Sequence, residues 1–280
     1  MKRGVFRRFL HHKPAVISSV LLIVLVLCLF LLPLILQTDP NKVDILSMNK
    51  APSAKHLLGT DSTGRDIFAR LLAGGQNSLL VGVGSAVISM LVGIPLGLIA
   101  GYYRGVASSV IMRLADMFLS FPSMILVMVT VALFGTSVWS ITLIIGVLGW
   151  PQAARLLAAN VMVERERDYI TSARTIGIPQ WRILLQYILP NAISPLWTSM
   201  AFRISQAMIL ESGLSFLGAG IQPPEASWGN LIQAAGSLVV LTTRPWQWLP
   251  AGLCLVVTIV AINFVGEGIR DALDPRLKLL

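Results

Sequence analysis

Apolar runs of about 20 residues recur along this chain, and that is the length a helix needs to cross the roughly 30 Å of bilayer hydrocarbon. In lipid every backbone N–H and C=O must be satisfied within the protein, so spanning segments are helices or closed barrels. The runs are continuous, without the alternation of barrel strands. They predict six transmembrane helices, at about residues 15–36, 76–101, 112–134, 138–158, 191–221 and 248–267. Composition agrees: 55% of the 280 residues are hydrophobic and 12% charged, against roughly 25% charged in soluble domains. The fold class is an all-α polytopic membrane protein, with lipid as its solvent.

Lys and Arg orient the helices. The N-terminal tail carries Lys2, Arg3, Arg7, Arg8 and Lys13. With that tail in the cytoplasm, fifteen basic residues fall on inner segments and six on outer loops, which predicts both termini cytoplasmic. The net charge of +9 is therefore a topology signal, and the partner it implies is the bilayer rather than nucleic acid. The first run, about 22 residues with no small-residue cleavage site, is too long for a signal peptide core and is expected to stay as a span. Cys28 and Cys254 lie in apolar runs with no metal spacing, so no metal site is expected and packing is their role. Residues 1–75 are expected to hold the tail, first helix and outer loop. Residues 76–280 are expected to form a five-helix core with a cytoplasmic loop at about 159–190.

The outer loop ends in HLLGTDSTGRDIFARLLAGG. Asp61-Ser62-Thr63-Gly64 is turn chemistry that can also start a helix. Ile67, Phe68, Leu71 and Leu72 then share one face, and Asp66 can pair with Arg70 at i,i+4. This predicts a short amphipathic helix on the outer membrane surface. Asp61 and Asp66 supply too few ligands for calcium. Within the spans Arg203 and Glu211 are the clearest ionisable residues, and such residues are costly in lipid and candidates for function. They stand about 12 Å apart along a helix, so each is expected to face a neighbouring helix or a water-filled cavity. Ser215 lies close by in a stretch rich in small residues, with Gly213, Gly218, Ala219 and Gly220, which lets backbones approach closely or leaves room for a path.

The inner loop contains SARTIGIPQWRILLQYILP, Ser172 to Pro190. Glu164 to Ile176 reads as helical. Gly177 can take the left-handed conformation that ends a helix, and Pro179 suits the first turn of the next. Trp181, Leu184, Leu185 and Ile188 then fall at i, i+3, i+4, i+7 as one apolar stripe. The result is a two-helix elbow on the cytoplasmic face. It can be an interfacial anchor, a DNA-binding helix–turn–helix, or a docking element for a motor. The apolar stripe and flanking spans speak against DNA.

The stretch resembles the cytoplasmic EAA loop of the membrane subunits of ABC importers, Glu-Ala-Ala, three residues, Gly, nine residues, Ile-x-Leu-Pro. Ala173, Gly177, Leu189 and Pro190 match, while Thr171, Ser172 and Tyr187 depart. The peptide/nickel branch is the better fit, through its Ala-Arg, Gly, Trp and Ile-Leu-Pro positions. GTDSTGRD, RLADMFLSFP, ESGLSFLGAGIQPPEASWGNLI and VGEGIRDALDPRL resemble further motifs of that branch, in the same order, with Ile269 in place of Leu. The N-terminal span and outer loop place the chain with the dipeptide/oligopeptide permease C-type subunits.

The resemblance implies a type I ABC importer permease fold in the bacterial cytoplasmic (inner) membrane. It implies a homologous permease partner forming a heterodimer, two cytoplasmic ABC ATPases and an extracytoplasmic substrate-binding protein. Ala173, Arg174, Gly177, Ile178, Pro179, Trp181, Leu189 and Pro190 would form the ATPase-docking loop. Asp61, Arg65, Asp66, Pro224 and Trp228 would face the binding protein, or else pack over the outer ends of the spans. The chain has no G-x-x-x-x-G-K-[ST] phosphate loop, so no enzymatic activity or cofactor is expected in it, and ATP and Mg would be bound by the partner ATPases. Scarce charge in the spans and no His or Cys pair favour peptides over nickel or a nickel chelate.

Other classes predict other features. A secondary transporter would show inverted repeats and mid-membrane coupling residues. A membrane enzyme would show a His/Asp/Glu cluster, whereas His11, His12 and His56 lie apart in the tail and a loop. A bare scaffold is the remaining rival.

Overall fold

The computed structural model describes residues 8–273. Helices α1 (Lys13–Leu36) and α2 (Ile67–Tyr102) are followed by α3 (Val106–Ser120), α4 (Ser123–Phe134), α5 (Val138–Leu148) and α6 (Trp150–Glu164). Then come α7 (Asp168–Thr175), α8 (Ser194–Phe216), α9 (Trp228–Ile232) and α10 (Leu249–Leu273). The only β pairing among the described residues is an isolated bridge between Thr60 and Asp66. Lys2, Arg3, Arg7, Arg276 and Lys278, and the Asp274-Pro275-Arg276 end of the closing motif, lie outside the described residues.

Helix α2 is the hub, packing on α5, α6 and α8, while α8 packs on α10 and α10 on α1. Its 36 residues span about 54 Å at 1.5 Å per residue. Three glycines set its tightest seam. A Cβ at Gly93, Gly97 or Gly101 would lie 2.6 Å from Ala153 Cβ, the Ala154 carbonyl oxygen or Val161 Cβ of α6. This small-residue ladder at i, i+4, i+8 brings two backbones together where the hydrophobic effect gives no drive.

Among the described residues, four helices are long and apolar enough to cross a membrane: α1, α2, the joined α5–α6 (Val138–Glu164) and α10. Two of the six expected spans come out differently. The third is broken: α3 and α4 meet at 90° around Phe121-Pro122, where Pro122 lacks the donor to continue a helix. The fifth is α8, whose 23 residues include Arg203 and Glu211 and which is not among the four.

The outer amphipathic helix is not separate either. Ile67, Leu71 and Leu72 are buried in the opening turns of α2, which runs without a break through the boundary expected at 75/76. Gly74 and Gly75 do not stop it. They admit the Ser227 backbone and the Leu29 and Trp228 side chains. Asp66 does not pair with Arg70; it caps α2 through the Ala69 N–H (2.9 Å) and pairs with His56 (2.8 Å).

Candidate functional site

The elbow forms at one end of α2. Helix α6 stops at Glu164, so the expected helix from Glu164 to Ile176 is interrupted and α7 starts at Asp168. Gly177 ends α7 with φ +79°. Its N–H donates to Arg174 O (3.0 Å) and that of Ile178 to Ala173 O (3.1 Å), the paired bonds of a Schellman turn. Pro179 then precedes a turn at Gln180–Arg182, and Ile183–Ile188 winds as a π-helix before Leu189–Ala192.

That winding corrects the expected stripe. With the Leu189 N–H reaching back five residues to Leu184 O, the buried residues are Ile183 and Ile188, five apart. Trp181 and Leu185 turn outward, 57% and 49% exposed. Leu184 remains packed inward.

Ile170, Ala173, Ile183 and Ile188 bury against Leu98 and Tyr102 of α2 and Leu157 and Val161 of α6, with Ile178 and Leu189 at the edge. Arg174 lies over the Tyr102 ring at 5.4 Å. Arg165 donates to Gly101 O (2.8 Å) and Tyr102 O (3.0 Å), closing the C-terminal carbonyls of α2. Arg104 and Arg165 both donate to Glu166, which holds that carboxyl below its usual range. The base of the elbow is thus bolted to α2 and α6. Its tip is not: Gly177 has open space around it, Pro179 and Pro190 are exposed, and Ile176 is 75% exposed.

The intramembrane polar residues separate. Arg203 Nη1 donates to Gln152 Oε1 (2.7 Å), and the guanidinium lines a cavity of about 450 Å³ between the α3–α4 bend, the α5–α6 joint and α8. Glu211 and Ser215 do not line that cavity. They are fully buried at a polar lock: Glu211 accepts from Ser215 (2.7 Å), Ser212 (3.4 Å) and Ser78 of α2 (3.5 Å). Ser215 in turn accepts the Ile221 N–H, and Ser78 the Trp228 N–H (3.1 Å). The lock fastens residues 221–228 across the end of the helices where α2 begins.

At that end Asp61 organises the loop. It accepts from the Thr63 N–H and hydroxyl (both 2.8 Å), the Arg65 N–H (2.9 Å) and Arg65 Nε (2.7 Å), with Arg70 Nε at 3.9 Å. Burial raises the Asp61 carboxyl, but the Arg65 and Thr63 donors outweigh it and hold it below the usual value. Arg70, buried, donates to Pro224 O (3.2 Å). Trp228 is fully buried, its indole N–H on Leu71 O (3.0 Å), so it holds the outer face in place and does not present itself there. Pro224 is exposed, while Asp61, Arg65 and Asp66 are half-buried.

Gln152 and Gln206, companions of Arg203 in the cavity, carried no signal in the sequence, whereas Phe118 and Phe121 stand in the RLADMFLSFP motif. They converge from three helices. Pro122 and the Gly93/Gly97/Gly101 spacing were the readable hints to the bend and the seam.

Residues 93–279 match the family described as the binding-protein-dependent transport system inner membrane component. Residues 2–52 match the N-terminal transmembrane domain of oligopeptide transport permease C. A Brucella suis protein, provisionally named a peptide permease, is 42% identical over 97% of this chain and 90% of its own length. The glutathione transport system permease protein of Pectobacterium atrosepticum is 38% identical over 99% and 91%. The di/tripeptide transport system permease protein of Pseudomonas aeruginosa is 37% identical over 98% and 91%.

Among solved structures, an inward-facing conformation of the MetNI methionine ABC transporter aligns with a TM-score of 0.61. The match covers 73% of this chain and 97% of that one at 18% identity, a likeness of fold. This chain, a multi-pass membrane protein, belongs to the family of binding-protein-dependent transport system inner membrane components.

Proposed function

We propose that the chain is one of two homologous permease subunits of an ATP-driven importer of di- and oligopeptides. The observation that carries this reading is the elbow. It has a rigid base on α2 and α6 and a solvent-facing tip at Gly177 flanked by exposed Ile176, Trp181 and Leu185, an apolar surface that suits a groove on another protein. Two cytoplasmic ATPases would bind ATP and Mg and dock at the elbow. A substrate-binding protein would meet the face around Arg65 and Pro224. Both termini would be cytoplasmic, with α1, α2, the bent α3–α4, α5–α6, α8 and α10 as six spans. Residues 1–75 would add the first helix and outer loop to a core of 76–280 with the coupling loop at about 159–190.

In this scheme α2 joins the two ends. The elbow packs on its last turns and the outer loop on its first. Closure of the ATPases would bias the helices toward one of two arrangements, and the pathway would follow. Peptides are favoured by the names of the relatives, including one for di- and tripeptides and one for glutathione. Nickel or a nickel chelate is the alternative cargo, and a secondary transporter the alternative class.

The test is to tag the chain, solubilise it gently and identify what co-purifies. The expected result is a second permease and ATPases, whose hydrolysis rises with the cognate binding protein and a dipeptide. Recovery of the chain alone, in detergent that preserves other complexes, favours the secondary transporter.

A further inference from the structure

Arg203 has a charge that the structure leaves unanswered. It lies near the middle of α8, and none of the ion pairs among the described residues includes it. Its one side-chain partner is neutral, Gln152, and its Nε is buried without a hydrogen-bond partner. An unpaired cation at that depth costs several kcal/mol unless something met in function compensates it.

The surroundings are shaped for the guanidinium. Gly149, at the α5–α6 joint, has no side chain because Arg203 Nη2 occupies the place where a Cβ would stand. Gln152, one turn on, holds Nη1. The cavity the group lines, about 450 Å³, is within the size range of small-solute sites. Its polar side chains are Ser123, Gln152, Arg203 and Gln206, and no acidic residue among the described ones lines it.

We propose that Arg203 binds a carboxylate of the transported solute in this cavity as it crosses the membrane. This rests on the importer reading above. A guanidinium presents parallel donors that match a carboxylate in a two-pronged pair. Nη1 is already oriented by Gln152, so the solute meets a fixed fork. The apolar remainder of the cavity, including Phe118, Phe121 and Leu210, accepts varied side chains, so the site reads the carboxylate common to all peptides and little else.

The test uses the assembled importer with its binding protein in nanodiscs and the photoreactive dipeptide alanyl-(4-benzoyl)phenylalanine, illuminated during ATP-driven turnover. Label is expected on cavity-lining residues and is expected to be displaced by unlabelled dialanine. Arg203→Gln and Gly149→Ala should each lower it about tenfold, and Arg203→Lys should lower it less. Co-purification of the partner subunit should persist in all three variants. Leu91→Ala, at an exposed position of α2 outside the cavity lining, serves as control, with wild-type assembly, basal ATPase activity and labelling.

Equal cavity labelling in wild type and Arg203→Gln overturns the proposal. So does loss of the partner subunit in Arg203→Gln together with Arg203→Lys restoring it, because the charge then pairs with the partner. A wild-type complex with no ATP-dependent uptake overturns the importer reading itself. Uptake with unchanged labelling overturns this inference alone.

Discussion

At the residue scale, one glycine and one carboxylate have separable roles. Gly177 has a left-handed φ and open space among the described residues, so its replacement strains the turn and meets no clash with them. Gly177→Val should cost about 1–2 kcal/mol locally and leave the chain folded. Coupling should fail: binding-protein-stimulated ATPase activity falls to its basal level. Unchanged stimulation would remove the turn from the docking surface. Asp61→Asn deletes a charge that accepts four hydrogen bonds and faces buried Arg70. Hydrogen exchange should show the 60–66 loop weakened by about 1–3 kcal/mol, with α6 unaffected. Because the folded Asp61 carboxyl lies below its ordinary value of 3.8, the unfolded loop binds its proton first as pH falls. The stabilisation is therefore whole above about pH 5 and is lost as pH drops through the folded value. Loop protection that holds steady down to pH 2 would contradict that role.

At the element scale, the α2–α6 seam decides how rigidly the elbow is held. Gly97→Leu forces side-chain atoms into the Ala154 carbonyl and should cost about 1–3 kcal/mol or split the helices. Thermal unfolding in detergent should show a lowered midpoint against Leu91→Ala, and equal midpoints would mean the seam yields freely. The elbow's turn was legible because Gly177 and Pro179 act through their own backbones, whereas its first arm starts at Asp168 instead of continuing from Glu164. The stripe on the second arm was not. A 3.6-residue period assumes α-winding, and the π-turn at Ile183–Ile188 rotates Ile183 inward and Leu185 outward. The outer amphipathic stretch had the right apolar face but the wrong partner. Ile67, Leu71 and Leu72 face protein, since the lock at Glu211 draws residues 221–228 over them.

At the scale of the whole molecule, the elbow and the Asp61 loop occupy opposite ends of the roughly 54 Å α2. A helix that passes load along its length predicts that a defect at one end is felt at the other. In Gly177→Val, spin labels on either side of the cavity lined by Ser62, Arg65, Pro223 and Gln233, at the Asp61 end of α2, should lose their ATP-dependent change in separation while keeping the resting distance. A full response would assign the coupling to another helix. The sequence by itself determined the lipid solvent, the helical class and the turn at Gly177. Each follows from chain-local properties: run length, hydrophobicity, and the φ freedom of one glycine. Only the tertiary structure decided that the third apolar run bends by 90°, that Glu211 is sealed by serines from two helices, and that Arg203 faces a cavity with no acid to meet it. Those features depend on which helices meet side by side, and residues such as Ser78 and Glu211, or Gln152 and Arg203, are brought together only by packing across more than fifty positions of chain.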